Sequence, residues 1–181
     1  MSFVREQIQA KSAALATEGV FIGTSSWKYP GWFGQLYDES RYAYRGKFTK
    51  TRFERDCLTE YAEVFKTVCL DAAYYAHVFN SWSGTLPIQE QMALPGSRTN
   101  PELCAARFLL KPGRKYEEAV KQFEPYSETK EINPEAREAG KALIREGRKG
   151  RKKTFIYVNN RLEGNALNTI AAMLGTFPED T

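Results

Sequence analysis

The stretch TVCLDAAYYAHVFNSW, Thr67 to Trp82, decides the fold class. It is rich in β-branched and aromatic residues and carries one charged side chain, Asp71. Such a run reads as buried strand. Sixteen residues are too many for a single strand, since about five or six is typical. No Gly or Pro marks a turn inside it. Two buried strands, TVCLDAAYY and AHVFN, are therefore expected to meet near Tyr75-Ala76.

Helices and strands alternate outward from this join. Upstream, Phe53, Cys57, Leu58, Tyr61, Val64 and Phe65 recur at three- and four-residue spacing, which predicts an amphipathic helix over 50–65. Before it, VFIGTSSW opens as a buried strand with Gly23 letting the backbone turn. Residues 2–17 form a loosely amphipathic helix ended by Gly19. Downstream, Asn100-Pro101-Glu102 marks a short turn, and CAARFLLK, residues 104–111, reads as strand. PGRKYEEAVKQF supplies a turn and a short helix. Asn133-Pro134-Glu135 caps a helix running to about Arg145. TFIYVNN, residues 154–160, is the last strand, and RLEGNALNTIAAML a closing helix.

Five strands alternating with helices predict an α/β domain with mostly parallel strands. One domain over 1–181 is expected, with residues 1–18 as a helical extension. In such sheets, sites form where the carboxyl ends of strands run into loops. GTSSW, DAAYY, KPGR and YVNNR are those places.

Hydrophobic residues make up 42% of the chain and charged residues 27%, which excludes a disordered class. No long uncharged apolar run suggests a signal peptide or membrane span, so a cytoplasmic protein with no membrane partner is expected. Cys57, Cys69 and Cys104 are spaced as buried thiols. The net charge of +4 owes much to RKGRKK, residues 148–153. That run reads as a solvated loop between helix and strand, or as a contact for nucleic acid phosphates.

Gly23-Thr24-Ser25-Ser26 matches neither nucleotide-loop pattern. Trp27, Tyr29 and Trp32 are either packing devices or a stacking platform. Asn159 and Asn160 offer amides and Arg161 a cation at the end of the last strand, although Asn160 serves equally well as a helix start. Asp71, a carboxylate in an apolar strand, is the candidate general base; an ion pair with Arg107 or Arg161 is the alternative. His77, the one histidine, reads as a core residue. Neither a metal site nor a cofactor is expected.

FIGTSSWKYPGW, EYAEVFKTVCLDAAYY and FIYVNNRLEGNALNTIAAM, in that order, resemble the YecE-like family, the domain of unknown function seventy-two. ARFLLKPGRKYEEAV and PYSETKE resemble its late strand and the segment after it. The resemblance implies a TIM-type (β/α) barrel, in a bacterial protein. It also implies a pocket built from Thr24, Ser25, Trp27, Tyr29, Asp71, Tyr74, Arg107, Lys111, Asn159 and Asn160. Fold analogy extends to barrel enzymes that handle phosphorylated or sugar-like substrates, DNA-repair nucleases among them.

The family's long middle section has no counterpart here, because AHVFNSW, which resembles a late strand, follows DAAYY at once. A full barrel takes about 250 residues. The expectation is thus an incomplete TIM-type barrel, shortened near 75–76, whose open edges invite self-association. Its pocket would take a small polar or phosphorylated ligand, with Arg107, Lys111 or Arg161 neutralising an anion. The alternatives are a nucleic-acid-binding module using Trp27, Trp32 and the basic run, and a remnant without activity.

Overall fold

A computed structural model describes residues 3–69 and 78–175. Asp71, Tyr74, His77 and the expected join at Tyr75-Ala76 lie outside the described residues. Four strands form one parallel sheet: β1 (Val20–Thr24), β4 (Val78–Ser81), β5 (Leu103–Phe108) and β6 (Lys153–Val158). A two-residue pair, β2 (Ala43–Tyr44) and β3 (Lys47–Phe48), makes a separate antiparallel hairpin.

The order across the sheet is β1-β6-β5-β4. β4, β5 and β6 lie side by side in chain order, and the last strand then pairs with the first, from Val20↔Thr154 to Thr24↔Val158. First meeting last in parallel is the relationship found where a (β/α) barrel closes. On the far side of β1, Val68 bridges Thr24 in parallel, so the segment TVC starts alongside the first strand. The sheet is open among the described residues. This is the α/β architecture expected of an incomplete barrel.

Strand alternation sets the two faces. Val20, Ile22, Ala106, Phe108, Ile156 and Val158 are buried on one face. The helices that contact these strands are α1 (Arg5–Thr17), α5 (Pro134–Gly150) and α7 (Ala166–Leu174). On the other face Phe21 stacks on Phe155 at 5.1 Å between ring centroids, and Phe155 lies 6.5 Å from Tyr157. α2 (Lys50–Val64) buries Phe53, Cys57, Tyr61 and Val64 of the expected stripe, and Phe65 just past it is buried too, but Leu58 is exposed.

Several local expectations change. Gly164 has a φ of 107° and breaks the expected closing helix into α6 (Asn160–Glu163) and α7, whose start Asn165 caps by accepting from Asn168 N–H. α5 runs on to Gly150, beyond Arg145, and ends where Arg151 turns left-handed. Gly23 does not turn the chain: it is paired with Tyr157 inside β1, where a Cβ would press into the Thr67 carbonyl. The short helix α3 (Ile88–Ala93) and the 3-10 turns at Pro30–Trp32 and Glu39–Tyr42 answer to no expectation from the sequence, whereas α4 (Tyr116–Phe123) lies where a short helix was expected.

The long connection after β1 folds as an aromatic cluster. Phe33, Tyr37 and Tyr42 lie 5.1–5.2 Å from the ring of Phe53. Trp32 is fully buried between Tyr29 and Tyr37, which removes it from any stacking platform.

Candidate functional site at the strand ends

The carboxyl ends of the four strands are stitched to one another. Ser25 N–H donates to the Val158 carbonyl at 3.0 Å, and Asn159 N–H to the Phe108 carbonyl at 2.9 Å. Leu110 N–H donates to the Ser81 carbonyl at 3.1 Å, and Leu109 N–H to Ser81 Oγ at 3.1 Å. These bonds satisfy backbone groups where the ladder ends and hold the neighbouring side chains in fixed places. Behind them, Tyr61 Oη accepts from Thr24 N–H at 2.9 Å and donates to the Thr67 carbonyl at 2.9 Å.

These ends enclose a cavity of about 440 Å³. Ser25, Ser26 and Tyr29 enter it from the connection after β1, Asn80 and Trp82 from β4 and just beyond. Arg107 comes from β5 and Leu109 from the residue after it, Asn159 from the residue after β6 and Arg161 from α6 (Asn160–Glu163). Its volume falls within the usual range of small-molecule sites.

Three buried polar atoms here have no hydrogen-bond partner: Ser25 Oγ, Asn80 Oδ1 and Arg161 Nε. Buried polar atoms are nearly always paired, so three of them on residues that line one cavity set this cavity apart as a candidate site. They offer a hydroxyl, an acceptor and a cationic donor. The Arg161 side chain is engaged by Tyr116, whose Oη accepts from Nη1 at 3.3 Å. Its guanidinium lies 4.5 Å from the Tyr116 ring centroid, and its backbone N–H donates to Asn159 Oδ1 at 2.9 Å. It forms no ion pair among the described residues. Trp82 lies 6.4 Å from Tyr116, between ring centroids, and is partly exposed at the rim. Burial raises the pKa of Tyr29 above the ordinary phenol value, with the nearby Arg161 charge opposing. Its hydroxyl therefore stays protonated and able to donate.

Of the residues expected here, Ser25, Tyr29, Arg107, Asn159 and Arg161 line the cavity. Thr24 sits behind the wall, its Oγ1 donating to the Ser26 carbonyl at 2.6 Å. Trp27 packs against the core, with Lys28 Nζ 5.7 Å from its ring centroid. Asn160 is buried and accepts from Ala166 N–H at 2.8 Å, which joins α6 to the start of α7. Lys111 points to Glu131 at 3.0 Å and lines a second cavity, of about 200 Å³, with Ile88 and Leu162.

Sequence reasoning missed Ser26, Asn80, Trp82 and Leu109. Asn80 and Trp82 end the segment AHVFNSW, so the rule that picks GTSSW and YVNNR finds them once it is applied to that strand as well. No three His, Cys, Asp or Glu side chains come together as a metal site among the described residues. No helix among them is long and apolar enough to cross a membrane.

No curated protein and no solved structure matches the chain. The segment 21–87 holds nearly all of β1, the aromatic connection, α2, β4 and the cavity residues Ser25, Ser26, Tyr29, Asn80 and Trp82. It is this segment that matches the family described as "Protein of unknown function DUF72", the family that the sequence motifs resemble.

Proposed function

We propose that the cavity at the strand ends binds a small polar ligand bearing a phosphate. The observation that carries this reading is the set of three unpartnered buried atoms, Ser25 Oγ, Asn80 Oδ1 and Arg161 Nε, around one cavity. Asn80 Oδ1 can only accept, so a ligand that brings a donor such as a hydroxyl would give it the partner it lacks. Arg161, a guanidinium without a carboxylate partner among the described residues, suits an anion that can offer oxygens to its fork of donors, as a phosphate does. A hydroxylated phosphate ester meets both demands. The family resemblance to barrels that handle such substrates supports the same class by analogy.

The test is thermal unfolding in the presence of ribose 5-phosphate, ribose and inorganic phosphate. A ligand that binds only the folded chain raises the midpoint with concentration. Ribose 5-phosphate should raise it most and ribose least, and Arg161→Ala and Ser25→Ala should each diminish the rise. Equal midpoints with all three, or a rise that survives both substitutions, would remove the reading.

A further inference from the structure

The hairpin β2-β3 is not used by the cavity, and it concentrates charge in an unusual way. From Ser40 to Phe53 the chain carries Arg41, Arg45, Lys47, Lys50 and Arg52 and no acidic residue. Arg41 is committed to Glu60 at 3.1 Å and Glu63 at 3.4 Å, and Lys50 to Glu54 at 3.6 Å. Arg45, Lys47 and Arg52 form no ion pair among the described residues.

The geometry presents two of these cations against an aromatic ring, with Lys47 following on the same hairpin. Arg45 and Gly46 have φ values of 51° and 75°, the pattern of the tight hairpin turn with positive φ at both central residues. Tyr44, which precedes the turn, is 54% exposed. Two guanidiniums approach its ring, that of Arg45 at 5.3 Å from the centroid and that of Arg52 at 5.1 Å. Arg52 is fixed further by donating to the Ala43 carbonyl at 3.0 Å. Phe48 anchors the hairpin, 5.3 Å from Phe33 and 6.1 Å from Phe53. An exposed platform of one phenol and two guanidinium planes therefore stands on a packed base.

We infer that this hairpin is a contact surface for single-stranded nucleic acid. Unpaired cations attract phosphates, and flat faces of Tyr and Arg stack on bases that a duplex keeps stacked internally. An anionic membrane uses the same charges but wants an apolar tip, and the tip here is Arg45-Gly46. The inference also differs from a site at residues 148–153. There Arg148 pairs with Glu18 at 2.6 Å, and the run leads into the amino end of β6, away from the strand ends. The hairpin lies in the connection leaving the carboxyl end of β1.

Fluorescence anisotropy of a labelled twelve-nucleotide oligo-dT with the full chain tests this. Three phosphate contacts give a log–log salt slope of about −2 for a single strand, so Kd should weaken roughly fifteenfold between 50 and 200 mM salt. Arg45→Asn with Lys47→Gln, which keeps a residue suited to positive φ at the turn, should lower the slope to about −0.7. Tyr44→Ala should weaken binding about tenfold while leaving the slope unchanged, which separates stacking from charge. Far-UV circular dichroism checks that each variant stays folded. Absence of binding at 50 mM salt would overturn the inference. So would loss of binding on neutralising Lys149, Arg151, Lys152 and Lys153 with the hairpin variants unaffected, or binding to phosphatidylserine vesicles but not to the oligonucleotide. None of these outcomes bears on ribose 5-phosphate and the cavity.

Discussion

Glu163, wholly buried, receives Arg137 as a fork: Nη2 donates to Oε2 at 2.8 Å and Nε to Oε1 at 2.9 Å. Thr169 Oγ1 adds a third donor at 2.7 Å and Asn133 N–H a fourth at 2.6 Å. One carboxylate thus ties the start of α5, the end of α6 and the middle of α7 together, and α6, which Asn159 caps, carries Arg161. Removing one partner of a buried charge pair leaves the other charge unpaired, which costs about 3–5 kcal/mol. Arg137→Ala should lower stability by that order in urea unfolding followed by tryptophan fluorescence. Replacing both residues together, Arg137→Met with Glu163→Leu, should cost less than Arg137→Ala alone.

Tyr61 holds the other side of the wall. Its hydroxyl bonds Thr24 N–H and the Thr67 carbonyl, and Gly23 leaves room for that carbonyl. Tyr61→Phe keeps the ring but leaves a buried N–H without a partner, which costs about 1–3 kcal/mol. Gly23→Ala should cost more, because the added methyl meets backbone atoms that cannot rotate away. The pair can be ranked by urea midpoints, and a smaller loss for Gly23→Ala than for Tyr61→Phe would count against this account.

How much of the fold and the cavity is legible in the sequence depends on the range of the interactions. α2 and β6 can be read because the stripe Phe53, Cys57, Tyr61, Val64 and the run TFIYV obey local periodicity. Ser25, Tyr29, Asn159 and Arg161 can be found because they come directly after strand ends. Trp32 cannot be placed by any local rule: its burial depends on Tyr37, which the 3-10 turn and loop bring to it. Gly164 misleads because a small residue inside a periodic pattern looks helical until Asn165 is known to cap a second helix. Gly23 reads as a turn for lack of knowledge that Thr67 approaches it from across the sheet.

Alkaline pH should destabilise the fold in two stages. Burial pushes the Cys57 thiol up to about 11, and it raises the phenols of Tyr37, Tyr42 and Tyr61 well above the ordinary tyrosine value. For groups whose folded pKa is raised, the stability they contribute is complete below the unfolded pKa and is lost as pH climbs toward the folded one. The unfolded values are about 8.5 for cysteine and 10 for tyrosine. The urea midpoint should therefore begin to fall near pH 8.5 and fall more steeply above about pH 10. Burial raises the Cys104 thiol as well, so Cys57→Ala should diminish the first stage, Cys57→Ala with Cys104→Ala should remove it, and both should keep the second. A midpoint that stays level to pH 11 would contradict the burial of these groups.

Ligand binding at the cavity should depend on the ligand's own ionisation. The second proton of a phosphate monoester is lost near pH 6, so the dianion becomes dominant between about pH 5 and 7. Arginine is cationic throughout that range. Affinity for ribose 5-phosphate, measured by titration calorimetry, should rise several-fold from pH 5 to 7 and then level off. Arg161→Gln should reduce the affinity and flatten the rise, because the dianion then loses its charged partner while the hydroxyl contact at Asn80 survives. Asn80→Ala should do the reverse, weakening ribose 5-phosphate at every pH and leaving the shape of the curve intact. If both substitutions changed the pH profile in the same way, the assignment of separate roles to the guanidinium and the amide oxygen would fail.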